Sequence, residues 1–295
     1  MQLSIVILNY NTAPLALRCL ATIRQYLLES TYELIVIDNN SREEDYEILE
    51  EGVRSDGATL FRSRKNVGFG AGNMLGANFA KGKYICFINS DVELMEDCMT
   101  PLCAYLEAHP EVGCVTPQQY DSHRKPVPSF NHNPGIRHEI LGKKFLETFF
   151  PAQYPRRKRI LYTEPFAASQ INGSFLLLPT RVFFEVGGFD TNIFLYYEEF
   201  DLCTRLRQHN YKSVVVPQYK FLHLHEASTT QTWTLSKREL YISKIYVYKK
   251  HRPYLLYLIY LGINLIKLLC KPKRWYILRT ICRGEMLSHS MRHLF

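Results

Sequence analysis

The chain opens on the apolar run Ser4–Leu8, and Leu15, Leu17, Leu20, Ile23 and Leu27 then recur at helical spacing through 14–28. Glu33–Asp38 reads as a second strand and 43–53 as an acidic amphipathic helix. A third short strand covers Thr59–Arg62, and 70–80 is a helix of small residues. The apolar strand Tyr84–Ile88 runs into Asn89-Ser90-Asp91-Val92-Glu93, followed by a helix near 95–109 and a strand at 112–116. Strand and helix alternating at this pitch predict an α/β fold with a mostly parallel, doubly wound sheet.

From 121 to 165 the periodicity dissolves into Pro, His, Arg and Lys, which marks a long basic insertion beside the site. Regular structure is expected again at the strand 173–178, a helix opening at Thr180, a Gly187-Gly188 turn and a helix at 198–208. Strand-like runs follow at 213–216 and 219–224. The expected organisation is one domain over 1–234, made of a first half (1–120), the insertion (121–165) and a second half (166–234). A basic amphipathic helical tail occupies 235–295.

Composition changes this picture mainly at the tail. The net charge is +8, yet 235–295 carries 13 Lys/Arg against 2 Asp/Glu, so the body is slightly acidic and the basicity is local. With no nucleic-acid-binding motif in the chain, an apolar, cationic tail points to an anionic membrane face. The run 254–266 falls short of the roughly 20 apolar residues a spanning helix needs. Its flanking Lys, Arg, Trp and Tyr suit a segment lying in the headgroup region. The eight cysteines form no C-x-x-C pair, consistent with reduced core thiols. The first residues read as a strand and not as a signal peptide, so the expected location is cytoplasmic, peripheral to the inner membrane.

Candidate chemistry collects where strands end. Asn9 and Asn11 follow the first strand, Asp38 and Asn40 the second, and Asn89, Asp91 and Glu93 the fourth. In an open α/β sheet that edge is where ligands bind. Asp91 and Glu93, two apart on an extended segment, present hard oxygens to a divalent cation. Asn66-Val67-Gly68-Phe69-Gly70 precedes a helix but lacks the third glycine of a dinucleotide fingerprint. Glu198, Glu199 and Asp201 crowd a helix start, where mutual repulsion raises a carboxyl pKa as a general base requires. His223 and His225 alternate at the end of the last strand and suit a metal or a phosphate.

In this combination and order the chain resembles the family 2 inverting glycosyltransferases, in the branch of rhamnosyltransferase-like and galactofuranosyltransferase-like enzymes of bacterial surface polysaccharides. The resemblance covers about residues 3–230 and implies a catalytic domain over 1–234, with 1–120 as the nucleotide-sugar-binding half and 166–234 as the acceptor and base half. It implies a GT-A fold, a UDP- or dTDP-sugar donor, a glycan or lipid-linked acceptor, and Mg²⁺ or Mn²⁺. By resemblance, Asp38 would bind the base, Asp91 with Glu93 would stand at the D-x-D-like metal position, and His223 or His225 would complete it. The family's Glu-Asp is here Glu198-Glu199, which leaves the base open among Glu198, Glu199 and Asp201. Self-association is left open as well. A sugar nucleotidyltransferase, or a catalytically inactive nucleotide-sugar-binding subunit of a polysaccharide assembly complex, are the alternative readings.

Overall fold

A computed structural model describes all residues except 1, 29–30, 158–160, 225–232, 283–287, 289 and 295. In chain order, β1 (Leu3–Asn9), α1 (Ala13–Tyr26), β2 (Tyr32–Asp38), α2 (Glu43–Asp56), β3 (Thr59–Arg62), α3 (Phe69–Ala77) and β4 (Tyr84–Asn89) alternate as the periodicity predicts. β5 (Val92–Leu94), α4 (Met99–Ala108) and β6 (Val112–Tyr120) follow. The insertion forms β7 (Pro126–Val127), β8 (Phe130–Asn131), α5 (Ile136–Leu141) and α6 (Lys143–Phe149), and β9 (Phe166–Ala167) and β10 (Gln170–Ile171) follow it. Next come β11 (Phe175–Pro179), α7 (Thr180–Glu185), α8 (Glu198–Gln208) and β12 (Lys212–His223), and then the tail helices α9 (Trp233–His251), α10 (Tyr254–Leu269) and α11 (Trp275–Cys282).

The main path of the large sheet runs β3-β2-β1-β4-β11-β6-β12-β5. β1 to β4 are parallel neighbours, whereas β11 lies antiparallel between β4 and β6. The strands are apolar on both faces, as a sheet covered by helices on both sides demands. One layer packs α1, α2 and α4 through Cys19, Leu20, Leu49, Val53 and Leu102; the other packs α3, α7 and α8 through Ala77, Phe183, Leu202 and Leu206. The two runs expected at 213–216 and 219–224 form one strand, β12, whose register against β6 shifts between Val216 and Lys220.

Two features depart from the periodicity. The strand ending at Asn89 turns at Ser90-Asp91 and continues as the separate β5, antiparallel to β12, so Asp91 and Glu93 do not extend one strand. The described part of the insertion carries regular structure: β8 pairs with β10, which follows the insertion, in a two-stranded ribbon, and α5 reaches the tail, where Glu139 accepts from Lys244 Nζ at 2.5 Å and from Tyr260 Oη at 3.3 Å.

α9 is docked on the sheet-bearing body. Val247 packs with Ile193 and Phe200, Ser243 Oγ donates to the Leu195 carbonyl at 2.8 Å, and Tyr246 Oη and Lys250 Nζ both donate to Asp190. Asp201, fully buried, accepts from Arg205 Nη2 at 2.6 Å and from Lys250 Nζ and His251 Nε2 at 2.7 Å each. α10 packs Tyr257, Tyr260, Asn264 and Leu268 inward, while Leu255, Leu258, Ile259, Ile266 and Leu269 form an exposed apolar stripe on its other face. No helix among the described residues is long and apolar enough to cross a membrane.

Burial alone would raise the Asp201 carboxyl, but His251, Arg205 and Lys250 hold it down at about 2. Its contribution to stability is therefore complete above the ordinary aspartate value of 3.8 and is lost as pH falls through about 2. Asp201→Ala leaves Arg205, Lys250 and His251 without their shared carboxylate and is expected to cost about 3–5 kcal/mol of unfolding free energy. Denaturant midpoints measure this; an unchanged midpoint would refute the clamp.

Candidate active site

The carboxyl ends of β1, β2 and β4 lie level. Asn9 pairs with Asp38 in the ladder, and Leu8 pairs with Asn89. Asn9 is fully buried, and its Nδ2 lies 3.1 Å from Asp38 Oδ1, 3.1 Å from Ser41 Oγ and 2.9 Å from Asp45 Oδ2. Its Oδ1 accepts from the Thr12 backbone N–H and hydroxyl, so Asn9 holds the two strand ends and the start of α1 together. Asp38 is likewise buried; its Oδ2 accepts from the Ser41 N–H at 3.2 Å and lies 3.5 Å from Arg62 Nε. Asn11 and Asn40 both sit in the left-handed region, at φ 56° and 65°, which turns the chain back over this rim. Asn11 Oδ1 accepts from the Arg42 N–H at 2.9 Å.

Asn39 ties the next loop down. Its Nδ2 donates to Asn66 Oδ1 at 2.9 Å and to the Gly68 carbonyl, while its Oδ1 accepts from the Val67 N–H. Asn40 is the ligand candidate that the sequence offers at this turn, whereas Asn39 pins the loop through Asn66. Gly68 enters α3 at φ 86°, and a Cβ there would overlap the Phe194 carbonyl oxygen. That carbonyl accepts from the Phe69 N–H at 2.8 Å and so joins this loop to the segment before α8.

Asp91 is buried, with Oδ1 3.1 Å from His223 Nε2 and Oδ2 enclosed without a hydrogen-bond partner among the described residues. Asn89 Oδ1 is enclosed in the same way. Glu93 instead forms an ion pair with Arg18 on α1. His225 lies outside the described residues, and among the described residues no group of three metal-ligating side chains converges. Asp91 still fits a cation: among the described residues its Oδ2 is a buried carboxylate oxygen with nothing to accept from, the atom a hard ion would satisfy, and His223 stands beside it with Nε2 facing Asp91 Oδ1 and Nδ1 3.2 Å from Gln119 Nε2. Magnesium-type sites commonly take one or two protein ligands and complete their shell with substrate phosphates and water.

The carboxylates of α8 follow a strained entry. Tyr196 and Tyr197 both have positive φ, 70° and 72°, which bulky residues adopt only where surrounding contacts impose it. Glu198 is buried, with Oε1 unpartnered, and packs beneath Gly70 of α3. Burial, followed by the neighbouring Glu199 charge, pushes its pKa well above the ordinary value. Glu199 is partly exposed, its pKa is raised by burial, and its Oε1 accepts from Gln170 Nε2 at 2.9 Å. Asp201 faces α9 instead, within its cationic cluster. Residues 173–174 bridge the two halves: Gly173 adjoins Glu199, and the Ser174 carbonyl accepts from the Asn89 N–H at 3.1 Å.

The model for glycosyl transferase family 2 matches residues 4–168. Among curated relatives, an N-acetylglucosaminyl-diphospho-decaprenol L-rhamnosyltransferase of Mycobacterium tuberculosis is 29% identical over 151 residues, covering 50% of this chain and 48% of the relative. The match thus spans about half the length of that relative. Rhamnosyltransferase WbbL of Escherichia coli is 25% identical over 201 residues, covering 65% of this chain and 72% of the relative. The fold matches that of the mannosyltransferase PcManGT from Pyrobaculum calidifontis, solved with GDP-Man and Mn²⁺, at a TM-score of 0.58 and 14% identity, covering 96% of this chain and 75% of that one. GalNAc-T7, solved with UDP, GalNAc and Mn²⁺, matches at a TM-score of 0.57 and 20% identity over 84% of this chain and 50% of that one. With its family model matched from the first strand into the insertion, the chain belongs to glycosyl transferase family 2.

Proposed function

We propose that the chain transfers a sugar, with inversion at the anomeric carbon, from a UDP- or dTDP-activated donor to a lipid-linked glycan during bacterial surface polysaccharide synthesis. The observation that carries this reading is one continuous rim bearing two kinds of carboxylate. Asp38 and Asp91 end the nucleotide-binding strands, and Glu198-Glu199 open a helix bridged to them by residues 173–174.

In this reading Asp38 accepts the N–H of the base, with Asn11 and Asn40 at the ribose. The loop of Asn66 and Gly68 covers the nucleotide, and Asn89 and Asp91 face the diphosphate. Asp91 Oδ2 and His223 would hold Mg²⁺ or Mn²⁺. When bound, the cation supplies positive charge against the departing diphosphate. Glu93, held by Arg18, supports the turn at Asp91 from behind.

Glu199 is the general base. Gln170 orients it, its exposure lets an acceptor hydroxyl approach, and its raised pKa strengthens it as a proton acceptor. As the hydroxyl oxygen attacks the anomeric carbon, its proton passes to Glu199, and the nucleoside diphosphate leaves from the opposite face. Glu198, pushed further up by burial and by Glu199, stays protonated and keeps a second negative charge out of the pocket. Asp201 positions this helix against α9 rather than taking the proton.

The acceptor class follows the diphospho-decaprenol in the mycobacterial relative's name: a sugar carried on a polyprenyl diphosphate. Peripheral attachment to the cytoplasmic membrane face suits such an acceptor. It is supported by the exposed stripe on α10, by Tyr254 and Trp275 near its two ends, and by Lys271, Lys273 and Arg274 beside it.

Asp91→Ala is expected to lower metal-dependent donor turnover by at least about 10³-fold with an unchanged melting temperature; wild-type turnover would remove the cation site. Glu199→Gln is expected to cost about 10²–10⁴-fold in transfer while donor affinity persists. A base must be deprotonated, so wild-type kcat/KM should rise with pH through a midpoint above the ordinary glutamate value of 4.5. A limb at or below 4.5 would disqualify Glu199. Replacing Leu255, Ile259 and Ile266 by Ser should abolish flotation with anionic vesicles; retained flotation would exclude the α10 stripe as the anchor.

A further inference from the structure

The insertion holds cations that the reaction above leaves unused. Asn131 in β8 stands directly opposite Gln170 in β10. Opposed residues of an antiparallel pair leave the same face of the ribbon, their Cβ atoms about 5 Å apart. Gln170 is the residue that orients Glu199. Asn131 Oδ1 accepts from Lys143 Nζ at 3.1 Å and from Arg157 Nη1 at 2.9 Å. Two cations therefore converge on one uncharged oxygen beside the residue that orients the base.

The surrounding charge does not balance them. Arg157 Nε donates to Glu147 at 2.8 Å, and the same carboxylate oxygen lies 3.0 Å from His132 Nε2. Burial pushes His132 below its ordinary 6.5, so the ring is neutral at pH 7, and Glu147 offsets a single positive charge. Glu139, the other carboxylate of this region, is already engaged by Lys244 and Lys267. Burial and the Arg157 charge both disfavour the charged form of Lys143. An anion between the two side chains would relieve that repulsion. An Arg fork beside a Lys point charge is suited to phosphate oxygens.

Resting on the lipid-linked acceptor reading, we infer that Lys143 and Arg157 seat the diphosphate that ties the acceptor sugar to its lipid. The placement matches the order of groups in such a molecule. The sugar hydroxyl lies at Glu199, and its phosphates lie across the ribbon at Asn131. The lipid then leads toward α5, α6 and α10, where Ile140, Phe145, Phe149, Leu255 and Ile259 are exposed. α5 is fixed to α10 by Lys267 Nζ, which donates to the Glu139 carbonyl at 2.7 Å.

The test compares two acceptors carrying the same sugar, one on a short polyprenyl diphosphate and one on an alkyl chain, with the full chain and its donor. Wild type is expected to show a KM at least about tenfold lower for the diphosphate acceptor, the scale of one charge-assisted hydrogen bond. Lys143→Gln and Arg157→Gln should each erase most of that preference, raising KM for the diphosphate acceptor and moving the alkyl KM less than about twofold. Lys144→Gln, at the exposed neighbouring position, should keep the preference. If Arg157→Gln fails to fold through loss of its Glu147 partner, Lys143→Gln, which gives up only the bond to Asn131, decides alone.

A preference retained in Lys143→Gln overturns the seat. So does an equal loss of affinity for both acceptors. If these variants instead lose binding to anionic phospholipid vesicles while keeping the acceptor preference, the cations serve a bilayer headgroup and the inference falls. Wild-type turnover of the alkyl acceptor with no diphosphate preference overturns the seat and leaves the glycosyltransferase reading standing; turnover of neither acceptor with any donor overturns both.

Discussion

A buried carboxylate at the end of a parallel strand must be matched by donors, and the structure meets that demand at Asp38 with the Asn9 amide, the Ser41 backbone N–H and, farther off, Arg62. The rim at the ends of β1 and β2 depends on this arrangement. Asn9 reaches three acceptors at once, so the ends of β1 and β2 and the first turn of α2 are fixed together before any ligand arrives. Asp45 adds its other oxygen to the Ala13 N–H and closes the start of α1 into the same network. Polar residues that look like ligand contacts in the sequence thus divide into those that hold the rim and those that remain available at its surface.

The second half of the site is held from behind. Two tyrosines in left-handed geometry aim α8 so that Glu198 and Glu199 meet the glycine-rich start of α3, and the contacts maintaining that strained entry come from α9. Tyr246 and Lys250 reach Asp190 before the strained pair, and Lys250 and His251 reach Asp201 after it. The tail therefore braces the helix that carries Glu198 and Glu199, and it also carries the α10 stripe.

Several elements were legible from residues alone. Thr59–Arg62 and the helix beginning at Glu198 match the expected bounds, because apolar periodicity and acidic helix starts are local signals. The fate of the carboxylates was not legible. Asp91 and Glu93, two apart, appeared to share a direction. The turn at 90–91 sends one toward His223 and the other toward Arg18. Asp201 appeared equivalent to its neighbours as a base, and only the docking of α9 commits it to Lys250 and His251, 49 and 50 residues further on. The insertion lacked periodicity because its strands are two residues long and its short helices draw their partners from the distant tail.

By itself, the sequence determined the alternation of strands and helices, the polar strand ends and the residue types available for sugar transfer, since each is written in spacing over a few residues. Tertiary structure decided which of those residues are free to act. Placing β11 between β4 and β6 brings Ser174 beside Asn89 and Gln170 beside Glu199, contacts separated by 85 and 29 positions along the chain. No local pattern encodes such pairings. They follow from burying both faces of the sheet and finding a partner for every charge enclosed in the process.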